Sequence, residues 1–471
     1  MTSTPTRSAI GQNRVLDYAS TERQVTSSVA ELLAGSPFIA YGYAYPHKTA
    51  YRPLAPPVEL RALWAEEDRR ALFVYVHVPF CAVRCGFCNL FTQKHPPEEL
   101  PARWLSTLFE QMDAVAEAVG VGQADTGFAR WALGGGTPTF LEAGALEALL
   151  VRLRERFGVD LPTTPSSVET SPETCTDDRL AVLEAAGTRR ISIGVQSFAE
   201  ASLRAVGRPQ AAPLAVAALD RIRARSFPIL NVDLIYGIAG QTPADFVADI
   251  DHAMRWAPEQ VYLYPLYQRP LTGLGKRARS WDDQRIACLR AGRARLLEAG
   301  YEQVSMRMFQ RPPASLGLDP GPAYCCQADG MIGLGVGARS YARSLHYSDD
   351  WAVGAAGVRS IVGEWVGRTR ADFEHARHGF VLDGDEQRRR WLIQSLLQVA
   401  GLERQAYVER FGATVDADFG STLAELGAHG LLEDDGATVR PTTLGLEWAD
   451  AIAPWLNSPA VRAASRDYEL R

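Results

Sequence analysis

ALFVYVHVPFCAVRCGFCNLF, residues 71–91, joins a short apolar run directly to three cysteines, at 81, 85 and 88. ALFVYVHV is rich in β-branched and aromatic residues and is stopped by Pro79. That pattern reads as a strand buried on both faces, the kind that parallel sheets contain. The thiols then leave the carboxyl end of that strand, where parallel α/β folds build their sites.

Five later runs repeat the strand pattern: FARWAL (128–133), SSVET (166–170), RRISIGV (189–195), PILNVDLIY (228–236) and QVYLYPLY (260–267). Amphipathic helical stretches lie between them, at 98–119, 141–157, 178–187, 213–226 and 243–257. Six strand-helix units predict an α/β fold, a partial (β/α)6 TIM-like barrel with an open doubly wound sheet as the competing architecture. Each strand is followed by polar or glycine-rich punctuation: the cysteines, GGGTPT (134–139), Glu169, Gln196, Asp233 and YPLYQRP (264–270). These stretches fall on one rim.

Three domains are expected: an N-terminal arm over 1–70, the barrel over 71–347 and a small C-terminal helical, winged-helix-like domain over 348–471. The arm carries YGYAYPHKTAYRPLAPP (41–57), dense in proline and aromatics, and is expected to lie over the barrel mouth through Tyr43, Tyr45, His47 and Lys48. In the C-terminal part, helix, short hairpin and helix follow one another without a basic recognition helix, which favours a packing cap over a DNA reader.

Hydrophobic residues make up 46% of the 471 and charged residues 22%, with a net charge of -6. This is the balance of a soluble globular protein, with no global attraction for nucleic acid. No apolar run is long enough to span a membrane and the first residues lack a secretory core, so no membrane partner and a cytoplasmic location are expected. The seven cysteines form no disulfide framework.

Structural zinc takes four cysteine or histidine ligands, and the nearest further candidate, His95, sits in a proline-flanked turn. A 4Fe-4S cluster takes one thiolate per iron, so Cys81, Cys85 and Cys88 would leave one iron open for another ligand. The Cys-x3-Cys-x2-Cys spacing at a barrel rim favours the cluster; zinc is the alternative.

YVHVPFCAVRCGFC, LGGGTPTFL, SVETSP, RRISIGVQSF, VGRPQ, NVDLIYGIAGQT and IGLGVGARSY, in this order, resemble the radical S-adenosylmethionine (SAM) enzymes similar to oxygen-independent coproporphyrinogen III oxidase. The resemblance covers about 71–450. It implies a 4Fe-4S cluster on the three cysteines, SAM chelated at the open iron, and a 5'-deoxyadenosyl radical formed by one-electron cleavage. It implies Tyr75, Phe87, Gly135, Gly136, Thr137 and Glu169 around that SAM, and Gln196, Arg208 and Asp233 around a second. A reductant such as flavodoxin or ferredoxin would supply the electron. Cys88 is followed by Asn89 and Leu90 where the oxidases often have another cysteine, and PAYCCQADGMIGLGVG (322–337) lacks the His-Asn-x-x-Tyr-Trp stretch of the related haem-trafficking proteins. These departures point to the class C methyltransferase branch, acting with two SAM molecules on an sp2 carbon of a small molecule or peptide. Oxidative decarboxylation and haem trafficking are the alternatives. His77, His346, Tyr264 and Tyr341 are candidates for a general base, and Cys325 and Cys326 for burial or ligation.

Overall fold

The computed structural model describes residues 28–208, 212–274, 282–312 and 330–469. Cys325 and Cys326 lie outside the described residues. Among those residues thirteen strands form one sheet: β1 (Arg52–Glu59), β2 (Leu72–Val78), β3 (Phe128–Gly135), β4 (Ser166–Thr170), β5 (Arg190–Gln196), β6 (Ile229–Tyr236), β7 (Gln260–Pro265), β8 (Glu302–Gln303), β9 (Met308–Gln310), β10 (Met331–Leu334), β11 (Arg339–Tyr341), β12 (Leu345–Ser348) and β13 (His375–Val381). Their order is β1-β13-β12-β11-β10-β2-β3-β4-β5-β6-β7-β9-β8. Strands β10 and β2 through β7 run parallel in register, whereas the outer pairs are antiparallel. The end strands do not pair, so this is the expected α/β fold in its open, partial-barrel form.

Side chains alternate between the two faces of a strand, and here the alternation separates two environments. Val74, Val76 and Val78, Trp131 and Leu133, Val168, Ile191 and Ile193, Val232 and Leu234, and Val261 and Leu263 pack with the helices in the main apolar core. The intervening positions are Tyr75, His77, Glu169, Ser192, Asn231, Asp233, Tyr262 and Tyr264. They make much of the inner face, which is polar there and turns apolar at one end, where Phe73, Ala132, Met331 and Tyr341 pack together against Tyr75. Asn231 donates to Ser192 Oγ and to Asp233 Oδ1, both at 2.7 Å, and Arg190 donates to Ser167 Oγ at 2.7 Å. A polar inner surface closed by hydrogen bonds from strand to strand suits a chamber rather than a second core.

The expected boundaries at 70 and 347 do not separate packing units. β1, from the arm, pairs with β13, which lies beyond 347, and both belong to the main sheet. The arm residues Val29, Leu32, Tyr45 and Ala50 enter a second core with Leu392, Leu396, Phe419, Leu426 and Ile452. In that region the helix Val415–Ala428 is followed by a hairpin, Leu432–Asp434 with Thr438–Pro441, completed by Leu402–Glu403. A buried ion pair ties the arm, the barrel and this region together. Arg307, 5% exposed, meets Asp450, 7% exposed, at 2.5 Å. Tyr267 Oη donates to Asp450 at 2.7 Å and the Gly42 amide at 3.1 Å. Glu447 makes a parallel tie, accepting from Arg290 at 2.7 Å and Arg293 at 2.5 Å on the helix Asp282–Glu298. Among the described residues no helix is long and apolar enough to cross a membrane.

Candidate active site

The loop after β2 is pinned on three sides. Phe80–Cys81 pairs with Gln93–Lys94, the Gly86 amide donates to the Val206 carbonyl at 2.9 Å, and the Leu274 amide donates to the Gly86 carbonyl at 2.8 Å. A Cβ on Gly86 would lie 2.7 Å from the Val206 oxygen, so a side chain is excluded there. Cys81 is buried and its Sγ accepts from Thr92 Oγ1 at 3.0 Å, with Thr137 Oγ1 at 3.4 Å. Arg208 Nη1 lies 3.7 Å from Cys85 Sγ. Burial raises all three thiol pKa values, that of Cys88 to about 12, with Cys85 and Cys81 adding to the rise at Cys88 and Cys85 to that at Cys81. Among the described residues no three His, Cys, Asp or Glu side chains converge on a single ion.

This donor set can be tested against the two metals. A tetrahedral zinc at about 2.3 Å from each sulfur would pull its thiolates together around one point. A cubane binds each thiolate to a different iron and keeps the sulfurs apart. Three sulfurs at Cys-x3-Cys-x2-Cys spacing, close enough for Cys81 and Cys85 to act on Cys88, are a donor set that fits the cluster.

The glycine loop after β3 lies against the cysteine loop. The Gly136 amide donates to Val78 O and the Thr137 amide to Phe80 O, both at 2.8 Å. Gly135 has φ +109°, and a Cβ there would strike the His77 ring at 2.7 Å; one on Gly136 would come within 2.5 Å of Phe80 O. Only glycine fits, because His77 and the cysteine loop fill the space a side chain would take. The Gly135 amide donates to Glu169 Oε2 at 3.1 Å. Solvent reaches Glu169 from the chamber, but the surrounding protein and the Asp233 carboxylate push its pKa up to about 7. Burial pushes Asp233 up to about 6, against the pull of Arg190 and its hydrogen bonds to Asn231 and Ser192.

Gln196 has φ +72°, a left-handed backbone that costs a non-glycine residue on the order of 1 kcal/mol or more. Its Nε2 comes back over Gly194, where a Cβ would lie 2.8 Å from it and 3.9 Å from Arg208 Nη1. Gln196 and Arg208 therefore lie on the same side of Gly194. Arg208 also faces Glu173 at 3.6 Å and so stands between that carboxylate and Cys85. Phe87 packs with the apolar group of Val206, Ile235, Ile238, Leu266 and Leu274, beside the thiols it separates. Tyr75 Oη lies 3.4 Å from His77 Nδ1, and His77 Nε2 lies 2.9 Å from the Phe91 carbonyl. A carbonyl only accepts, so the proton is assigned to Nε2 and Nδ1 faces the tyrosine. Burial lowers the His77 pKa to about 4, which keeps it neutral. His346 is fully buried and packs edge-on to Tyr341, deep in the fold rather than at the rim.

The arm crosses the mouth. Arg307 lies over the rings of Tyr41, Tyr43 and Tyr264 at 5.0–5.6 Å. Lys48 Nζ sits 3.7 Å from the centroid of Trp351. Tyr45 does not face the chamber: it is buried and its hydroxyl donates to Glu386. The sequence reading missed Glu173, Thr92 and Trp351. Gly86, beside Cys85, was the one local signal of the close packing here.

Residues 75–253 match the model of the Radical SAM superfamily and form a Radical SAM domain. That superfamily uses a 4Fe-4S cluster and SAM. A heme chaperone, HemW, of Mycobacterium tuberculosis is 33% identical over 266 residues, 54% of this chain and 66% of that protein. An oxygen-independent coproporphyrinogen III oxidase of Pseudomonas aeruginosa is 26% identical over 426 residues, 83% of this chain and 87% of the relative. The coproporphyrinogen III oxidase HemN of Escherichia coli, described as a radical SAM enzyme, superposes with a TM-score of 0.72 at 24% identity, over 87% of this chain and 96% of that one. That likeness shows the fold. The class C methyltransferase branch expected from Asn89 and Leu90 finds no support among these relatives. Two residues after a ligand are a small signal beside an alignment that runs through most of both chains.

Proposed function

We propose that this chain, whose residues 75–253 form a Radical SAM domain, is a SAM-cleaving enzyme of the oxygen-independent coproporphyrinogen III oxidase type. The observation that carries this reading is the gathering of three thiols of raised pKa, a tightly packed glycine loop and two carboxylates of raised pKa on one rim of the barrel. When bound, the cluster on Cys81, Cys85 and Cys88 would supply one electron to SAM and so a 5'-deoxyadenosyl radical.

The chain's own residues then have separable tasks. Thr92 and Thr137 hold the Cys81 sulfur. Gly135 and Gly136 let a ligand lie on the backbone, Glu169 accepts from its hydroxyl or ammonium groups, and Asp233 offsets its positive charge. The arm closes the mouth and keeps water from the radical. In oxidative decarboxylation a propionate side chain gives up one hydrogen atom to the radical, then carbon dioxide and one electron to an acceptor, leaving a vinyl group.

A second reading, two-SAM methyl transfer to an sp2 carbon, is favoured by Asn89 and Leu90 and by the placing of Gln196 and Arg208 on one side of Gly194. Product analysis separates the two. Anaerobically reconstituted protein given SAM, reductant and coproporphyrinogen III is expected to form 5'-deoxyadenosine and vinyl product without S-adenosylhomocysteine; S-adenosylhomocysteine without vinyl product would overturn the first reading in favour of the second.

A pH dependence follows from Glu169 and Asp233. Their folded pKa values, about 7 and about 6, lie above the ordinary values near 4. Their stabilising contribution is therefore complete below about pH 4 and is lost as pH rises through 6 to 7. A cationic ligand prefers the ionised pair, so SAM affinity should rise between about pH 5.5 and 7.5. Glu169→Gln should flatten the upper part of that rise, measured by calorimetric titration. An unchanged profile in the variant would remove Glu169 from the SAM site.

A further inference from the structure

We propose that Lys48 anchors a carboxylate of the substrate, so that the chamber takes an organic acid; this rests on the reading of the chamber as the substrate site. The arm delivers Lys48 to the mouth by the turn Lys48–Ala50, and the C-terminal helix Pro459–Arg466 holds that turn from outside: Thr49 Oγ1 donates to Ser465 Oγ at 3.1 Å. The Lys48 ammonium rests on the Trp351 ring at 3.7 Å, and His47 meets the same ring edge-on at 6.2 Å. Trp351 is itself fixed, its carbonyl accepting from Tyr468 Oη at 2.7 Å and its ring lying 5.9 Å from that of Tyr468.

Among the described residues, the groups that act on Lys48 electrostatically are Arg339, the Cys88 thiol and Arg269, and none is a carboxylate. An ammonium has three N–H donors, and an indole face accepts none of them as a hydrogen bond. The cation–π contact holds the side chain in place without satisfying its donors. Crowding and the two guanidinium groups lower the Lys48 pKa well below its usual value. An entering carboxylate would supply the missing acceptor and countercharge at the same point. Cys88 lies within electrostatic reach of Lys48, so the anchored acid would lie toward the cysteine end of the chamber, and the Trp351 face offers a flat apolar surface to the rest of the molecule.

The competing role for Lys48 is to offset the charge of the cluster thiolates. Binding to the reconstituted holoenzyme separates the two, with coproporphyrin III, a tetra-acid, and its tetramethyl ester as probes, followed by fluorescence quenching. Wild type is expected to bind the acid more tightly than the ester. Lys48→Met should weaken the acid by about 10–100-fold, the worth of a charge-assisted hydrogen bond, and leave the ester within about twofold. Lys48→Arg should retain most of the acid affinity, which guards against a misfolded variant. Equal affinity of wild type and Lys48→Met for the acid overturns the anchor, as does a wild type that binds both probes alike or neither. Formation of 5'-deoxyadenosine by the same preparations reports on SAM cleavage separately: its absence in wild type would sink the SAM reading, while a selective loss of acid binding in Lys48→Met would still support the anchor.

Discussion

Cys85→Ala is expected to give a folded protein that forms no detectable 5'-deoxyadenosine. Cys85 is partly exposed, its sulfur lies 3.7 Å from Arg208 Nη1, and the loop around it is held by backbone bonds at Gly86. Losing the sulfur should therefore shift unfolding by less than about 1 kcal/mol. The cost falls on the metal. Removing a group that merely supports a ligand costs about 10–100-fold in metal affinity or activity, and removing the ligand itself costs more. With two thiolates left for four irons, iron and acid-labile sulfide should fall together with turnover. The checks are metal and sulfide analysis, chromatography of the nucleoside product, and a thermal melt. A variant that keeps its sulfide and its turnover would remove Cys85 from the cluster.

Asp450→Ala should have the largest effect on stability, a loss of about 3–5 kcal/mol, because it leaves Arg307 buried without its countercharge. A solvent-exposed pair would cost at most about 1 kcal/mol, so the magnitude distinguishes the two situations. The Tyr267 hydroxyl and the Gly42 amide lose an acceptor in the same substitution. Replacing both Arg307 and Asp450 with leucine should restore much of the loss, since no unpaired charge then remains. Denaturant titration of the two variants against wild type measures this. The arm is fastened over the mouth through the same pair, so Asp450→Ala should also open the chamber to water and lower turnover beyond what unfolding explains.

The parallel strands were readable because burial on both faces makes them continuous apolar runs, and the loops after them because glycine, cysteine and acid interrupt such runs. The alternation within β4 to β7 also carried information: Glu169, Gln196 and Asp233 occupy inward positions between outward apolar ones. Other elements gave no comparable signal. β1 reads RPLAPPVE, and prolines count against a strand unless it lies at a sheet edge, where β1 does lie. β10, β11 and β12 have three or four residues each, too few for a period, and the helix Asp282–Glu298 is rich in arginine, with no clean apolar stripe. Glu173 and Trp351 reach the site through tertiary packing alone. Their distance from the cysteines in sequence carries no rule that would have found them.

The central claim is that the three thiols hold separate irons beside a SAM site. It is tested most directly by preparing the protein without oxygen, counting iron and acid-labile sulfide, and adding SAM with a strong reductant. Roughly four irons and four sulfides per chain, with 5'-deoxyadenosine appearing on reduction, is the result expected of a cluster ligated by Cys81, Cys85 and Cys88. About one zinc per chain, no sulfide and no cleavage of SAM would contradict it.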